Sequence, residues 1–241
     1  MKVTDAIAKK VENLEAGQVF SFSDVAIQPE KMEAVVKALN RMVSTGKLSK
    51  LGKGKFYKAK QTVFGNLEPD QYQVVKDLLE TDGKIIGYLT GYSIYNKLGL
   101  TTQVSNIIQI GRNDIRAAFK RGRYTISFIK QKNEITIDNI FLLQVLDAIR
   151  YIKKIPDTYF LSSLERLIAI LNDLPGADKK KLVTLSLKYP AATRALVGAM
   201  LEETGHKELT KKIKETLNPL TIYKMPSAAK LMKHTEKWNI K

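Results

Sequence analysis

Lys47-Leu48-Ser49-Lys50-Leu51-Gly52-Lys53-Gly54-Lys55-Phe56-Tyr57-Lys58-Ala59-Lys60 is the stretch whose reading decides the fold of the N-terminal part. Leu48 and Leu51, and Phe56 after them, sit among polar neighbours in the alternation of half-buried strands. Gly52-Lys53-Gly54 interrupts that alternation, which predicts a two-stranded hairpin with a basic, glycine-rich tip. Lys47, Lys50, Lys53, Lys55, Lys58 and Lys60 carry it, and no acid stands among them. A hairpin of this kind is either a cationic arm or an edge that its lysines protect from aggregation.

Upstream, Ile7, Val11 and Leu14 recur at i, i+4 and i+7 and predict a helix over residues 4–14, stopped by Gly17. Val19 and Phe20 form a short extended piece. Ser21 and Ser23 are placed to cap a short helix ending at Ile27. Pro29 stands where a third helix begins, a position its fixed φ favours. That helix runs to about Ser44, with Val35, Leu39, Met42 and Val43 inward, Ala34, Lys37 and Arg41 opposite, and Gly46 at its end. Helix, short helix, longer helix and basic hairpin is the order of a winged helix-turn-helix. A helix is narrow enough to enter the DNA major groove, while hairpin ammonium groups meet phosphates, which fixes position without reading sequence. The expected DNA contacts are Ser21, Ser23, Lys31, Lys37, Arg41, Lys50, Lys53 and Lys55. Lys37 and Arg41 can reach base edges or phosphates. Winged helices also serve as protein-interaction modules, which is the competing reading.

The chain has 241 residues and a formal net charge of +16. The length suits two domains, read as residues 1–60 and 61–241. The basic excess attracts polyanions, nucleic acid first and an anionic membrane surface second. Cysteine is absent, which removes disulfides, thiol nucleophiles and cysteine metal sites, and fits a cytoplasmic location. The first residues carry Asp5 and run into an amphipathic pattern, unlike a signal peptide. The longest apolar run, residues 140–146, is broken by Gln144 and too short to cross a bilayer, so no membrane contact is expected.

Residues 61–241 predict a mixed α/β domain with a helical C-terminal part, so the whole chain is classed as α+β. Helices are expected over residues 68–80, 92–98, 139–152, 161–171, 177–187, 191–203 and 207–217, and strands near 85–91, 104–110 and 124–130. A short helix over 114–120 and a further strand at Ile135-Thr136-Ile137 are also expected. Arg112, Arg116, Lys120, Arg121 and Arg123 form a cationic cluster that either extends a DNA footprint, meets an acidic partner or is a solvated helix face.

Candidate catalytic groups are few, and the chain is read as a binding protein, not an enzyme. His206 and His234 lack metal-ligand spacing, so neither metal nor cofactor is expected. Gly91-Tyr92-Ser93-Ile94-Tyr95 lacks the second glycine of a nucleophile elbow. Between Gly46 and Gly52 stands one residue too many for a P-loop, and Gly54 occupies the Ser/Thr position. Tyr88, Tyr92 and Tyr95 read as core or interface aromatics. A nuclease assembled from distant acids and lysines is the enzyme alternative.

Val19-Phe20-Ser21-Phe22-Ser23-Asp24, Ala38-Leu39-Asn40-Arg41 and residues 46–57 resemble the winged-helix domain of the type IV antitoxins of the AbiEi family, and Thr62-Val63-Phe64-Gly65 continues the pattern. Residues 87–104, from Gly87-Tyr88-Leu89-Thr90-Gly91 to Thr101-Thr102-Gln103-Val104, are similar to the central signature of a close branch of that family. Residues 189–198 and 217–223 resemble its C-terminal segment. The resemblance implies a transcriptional autorepressor that binds its own operator, and since many DNA-binding winged helices work in pairs, the expected partner is double-stranded DNA with inverted repeats. It also implies neutralisation, directly or indirectly, of a nucleotidyltransferase-like toxin in a bacterial phage-defence system. A stand-alone winged-helix regulator is the alternative role. Residues 225–241, lysine-rich and containing Trp238, depart from the pattern, and either pack on the domain or bind nucleic acid.

Overall fold

The structure is a computed structural model and describes residues 3–26, 31–63 and 65–241. The expected helix end at Ile27, the helix start at Pro29, and Phe64 of the Thr62–Gly65 motif lie outside the described residues. The chain is α+β and divides into two compact units, Met1–Leu78 with Phe119–Thr125, and Leu79–Ala118 with Ile126–Lys241. The first unit therefore carries more than the segment read as 1–60.

The first unit opens with α1 (Val3–Glu12), β1 (Val19–Ser21), α2 (Phe22–Val25), α3 (Met32–Ser44), β2 (Ser49–Gly52) and β3 (Lys55–Tyr57). Its three strands are antiparallel in the order β1-β3-β2. This is a winged helix-turn-helix. One core takes Ile7 and Val11 from α1, Phe20 from β1, Val25 from α2, Val35, Ala38 and Leu39 from α3, Leu48 before β2, and Phe56 from β3. Phe56 is fully buried, with the Phe20 and Phe22 rings centred 6.1 and 5.1 Å away. Burying each such side chain contributes roughly 1.5–3 kcal/mol. The strands β4 (Lys60–Thr62) and β5 (Gly65–Leu67) form a small hairpin, and α4 (Gln71–Leu79) follows with Val74 and Val75 fully buried.

The second unit begins with the short strands β6 (Glu80–Thr81) and β7 (Lys84–Ile85), then β8 (Gly87–Thr90), α5 (Tyr92–Tyr95) and β9 (Ile107–Arg112). The chain continues through β10 (Phe119–Arg121) and β11 (Tyr124–Lys130). β9 lies between β8 and β11, and β10 pairs with β11 in a hairpin whose tip, Phe119–Thr125, groups with the first unit. Five helices follow: α6 (Ile137–Arg150), α7 (Phe160–Asp173), α8 (Gly176–Ser186), α9 (Ala191–Glu203) and α10 (Lys211–Glu215).

Two expected elements are replaced. Residues 114–120 are not a helix: Asp114 accepts from Arg112 Nε and Arg116 Nε at 2.6 and 2.9 Å, closing a local turn, and Phe119–Arg121 is strand. Residues 135–137 are not a strand, because α6 already starts at Ile137 and Asn139 Nδ2 ties it back to the Glu134 carbonyl at 3.1 Å. Residues 225–241 pack on the domain, with Trp238 1% exposed and its Nε1 donating to Glu202 at 2.9 Å. Gly198 on α9 makes room for that indole, since a Cβ there would stand 2.2 Å from the Trp238 ring.

A buried polar knot joins sheet and helices in this unit. Asp147 of α6, 1% exposed, accepts from Tyr88 Oη at 2.7 Å, Thr90 Oγ1 at 2.8 Å and Tyr189 Oη at 2.9 Å. Gln131 Nε2 donates to both tyrosine oxygens at 2.8 Å. Tyr88 reaches across because its β9 partner is Gly111, where a Cβ would come within 2.4 Å of the phenol ring. Burial pushes the Asp147 carboxyl above its ordinary pKa, against the three hydroxyl donors, which lower it. Burial likewise raises both phenols. Asp147→Ala strips three buried hydroxyls of their acceptor and is expected to cost about 3–5 kcal/mol of unfolding free energy. Urea denaturation of the full chain measures it, and a loss below about 1 kcal/mol would mean that the hydroxyls find other partners.

Candidate nucleic-acid interface

The first unit brings together most of the residues expected to meet DNA. Val35, Ala38 and Leu39 bury one side of α3. At 3.6 residues per turn the other side carries Lys37 and Arg41, both exposed. Neither side chain has a partner among the described residues. Glu33, exposed in the first turn, stands one turn before Lys37, where a carboxylate favours the helix dipole. Lys31 is the exposed N-cap residue of α3. Sequence reasoning passed over Asn40, which is exposed between Lys37 and Arg41. An asparagine in a groove-facing helix can pair with adenine through two hydrogen bonds, and its helical spacing was the available signal.

The hairpin β2–β3 is the wing. Lys50 pairs with Phe56 and Gly52 with Lys55, so Lys53 and Gly54 make a two-residue turn, with Gly54 at φ +71°. Such tight turns require positive φ, which glycine adopts without cost. Phe56 faces the core and Leu51 is buried beside Gly122, while Lys50 and Lys53 are exposed.

Lys55 departs from the expectation of a free wing cation. Its Nζ lies 3.1 Å from Asp77 of α4. Arg121 meets the same carboxylate through both terminal nitrogens, at 2.6 and 3.1 Å, and donates to the Val74 carbonyl at 2.7 Å. Burial raises the Asp77 carboxyl, but the hydrogen bonds and charges of Arg121 and Lys55 outweigh it and hold the group below its ordinary pKa. Arg121 is thus a brace: it fixes the hairpin tip beside the wing, where its Cγ approaches Gly52 and Gly122 approaches Leu51.

The rest of the expected cationic cluster is divided between the two units. Lys120, Arg121 and Arg123 group with the first unit, Arg112 and Arg116 with the second. Arg123 pairs with Glu68 at 2.9 Å and stacks on Tyr124, with its guanidinium carbon 5.0 Å from the ring centre. Arg112 and Arg116 share Asp114, whose pKa their hydrogen bonds lower to about 2. Lys120 is exposed. Ser21 and Ser23 are engaged locally: their hydroxyls lie 2.7 Å apart, and Asp24 accepts from the Ser21 backbone and hydroxyl at 2.6 and 2.8 Å. The expected cations that remain exposed without an ion pair among the described residues are Lys31, Lys37 and Arg41 at α3, Lys50 and Lys53 on the wing, and Lys120.

No curated protein matches the chain. Among solved structures, the crystal structure of RV2827C protein from Mycobacterium tuberculosis is similar, with a TM-score of 0.55 at 12% identity, covering 91% of this chain and 83% of that one. At that identity the likeness is one of fold. Residues 6–168, which take in the winged helix and the sheet with its first covering helix, match the family of unknown function DUF6088, and the chain belongs to that family.

Proposed function

We propose that this protein is a DNA-binding antitoxin and autorepressor of a type IV toxin–antitoxin operon, acting in the cytoplasm by binding and not by catalysis. The observation that carries DNA binding is the outward face of α3 beside the wing. Lys37, Asn40 and Arg41 project from a helix anchored on its opposite side, and Lys50 and Lys53 stand on the hairpin without carboxylate partners among the described residues. In the proposed complex α3 lies in the major groove and the wing lysines meet flanking phosphates. Two copies would occupy the halves of an inverted repeat. The antitoxin role rests on the resemblance of the central and C-terminal motifs to AbiEi-type antitoxins, and its partner would be a nucleotidyltransferase-like toxin.

Replacing Lys50 and Lys53 together by alanine is expected to weaken binding to every duplex and to lower the slope of log affinity against log salt by about 1.8, at about 0.9 per phosphate contact. Lys55→Ala should leave that slope unchanged, because Lys55 faces Asp77. An unchanged slope in the double variant would remove the wing from the interface. Arg41→Ala should cost about 1–3 kcal/mol on DNA from upstream of the gene and less on random DNA, read by competition gel shift. Equal losses on both would make Arg41 a phosphate contact. The antitoxin role is tested by co-expression with a neighbouring nucleotidyltransferase-like gene, where growth should be restored. Operator binding without rescue would leave a stand-alone regulator.

A further inference from the structure

The second unit holds a cavity of about 600 Å³ whose lining includes Lys130, Lys132, Arg150, Lys188 and Arg194 and no carboxylate. That volume lies within the range of small-molecule sites. None of these five cations forms an ion pair among the described residues. Arg194 is held by carbonyls, with Nη1 donating to Tyr189 at 2.7 Å and Nη2 to Thr216 at 3.0 Å, so its position is fixed while its charge stays uncompensated. Its Nε is buried without an acceptor. Lys188 Nζ reaches the Lys132 carbonyl at 3.4 Å. The floor is rigid. Gln131 and Tyr189, each 4% exposed, line the cavity and are locked into the Asp147 knot. Asp147 lies beneath this floor with its oxygens taken by three hydroxyls; it forms no ion pair with the lining, although the charge of Arg150 acts on it through space.

We propose that this cavity is a binding site for a multiply phosphorylated small molecule of nucleoside triphosphate class. Five cations around one concavity exceed what a single carboxylate or phosphate requires, whereas a polyphosphate chain presents several charged oxygens to separate donors. The helix α9 adds to the attraction. Its first intrahelical bond runs from the Arg194 N–H to the Pro190 carbonyl, and Pro190 lines the cavity, so the positive helix end lies at its edge. Leu187 and Pro190 supply apolar surface for a base. The site is independent of the winged helix, since its lining comes from the second unit.

The same phosphate chemistry could come from nucleic acid, and the test separates the two sources. Isothermal titration of the full chain with ATP, GTP, inorganic triphosphate and adenosine, and in parallel with a random duplex, is run on wild type and on the Lys130→Gln/Lys132→Gln/Lys188→Gln variant. These three residues are exposed, so the fold should survive, which a thermal melt checks. Saturable binding of triphosphate-bearing ligands is expected, absent for adenosine, weakened tenfold or more in the triple variant and unchanged in Lys50→Ala/Lys53→Ala. A triple variant that loses duplex affinity while wild type takes up no nucleotide or triphosphate would overturn the proposal in favour of a DNA-backbone contact. Absence of binding to all ligands, with no effect of the variant on DNA, would overturn it in favour of a solvated surface.

Discussion

Packing of Val35, Ala38 and Leu39 against Ile7, Phe20 and Phe56 is the contact on which the interface depends, because a helix of 3.6 residues per turn cannot bury that stripe without turning Lys37 and Arg41 away from it. The same core fixes the wing. Phe56 is held between Phe20 and Phe22, so the strand that carries it is placed before any lysine of the hairpin meets a partner. A substitution that loosened this core would move α3 and the wing together.

Two carboxyls organise the charge of the molecule in opposite ways. Asp77 is partly exposed and keeps its charge, drawing in Lys55 and Arg121 and so subtracting both from the free cations. Asp147 is almost wholly buried and hydrogen-bonded to hydroxyls, and Arg150, Lys188 and Arg194 form no ion pair among the described residues. A net charge of +16 is therefore not spread evenly in its effect. Where a carboxylate reaches a cation, the pair is a brace or a local clamp, as at Asp114. Where none does, the cations remain available to an anion from outside.

Exposed pairs such as Arg123–Glu68 contribute little to stability, since solvent screens them and two long side chains must be ordered. Their consequence is positional. Within each unit they tie a basic side chain to a neighbouring carboxylate, Arg123 to Glu68 in the first and Arg112 and Arg116 to Asp114 in the second. The polar knot around Asp147 is the stronger constraint, because its members are shielded from water and a lost partner is not replaced by solvent.

The sequence by itself determined the winged helix. Apolar spacing in α1 and α3 and the lysine-glycine hairpin are local patterns, and local periodicity records which face an element buries. It also located α4 and the C-terminal helices for the same reason. It misread residues 114–120, where an arginine pair on Asp114 and a hairpin replaced a helical pattern, and 135–137, where the strand-like triplet is absorbed by the start of α6. Lys50 and Lys55 are indistinguishable in sequence, yet one is exposed and the other pairs with Asp77. The cavity cations come from β11, α6, α9 and the segments beside them, and no spacing connects them. Only the tertiary structure decided which charges are spent and which converge, because charge pairing depends on distances between elements that the order of residues along the chain does not encode.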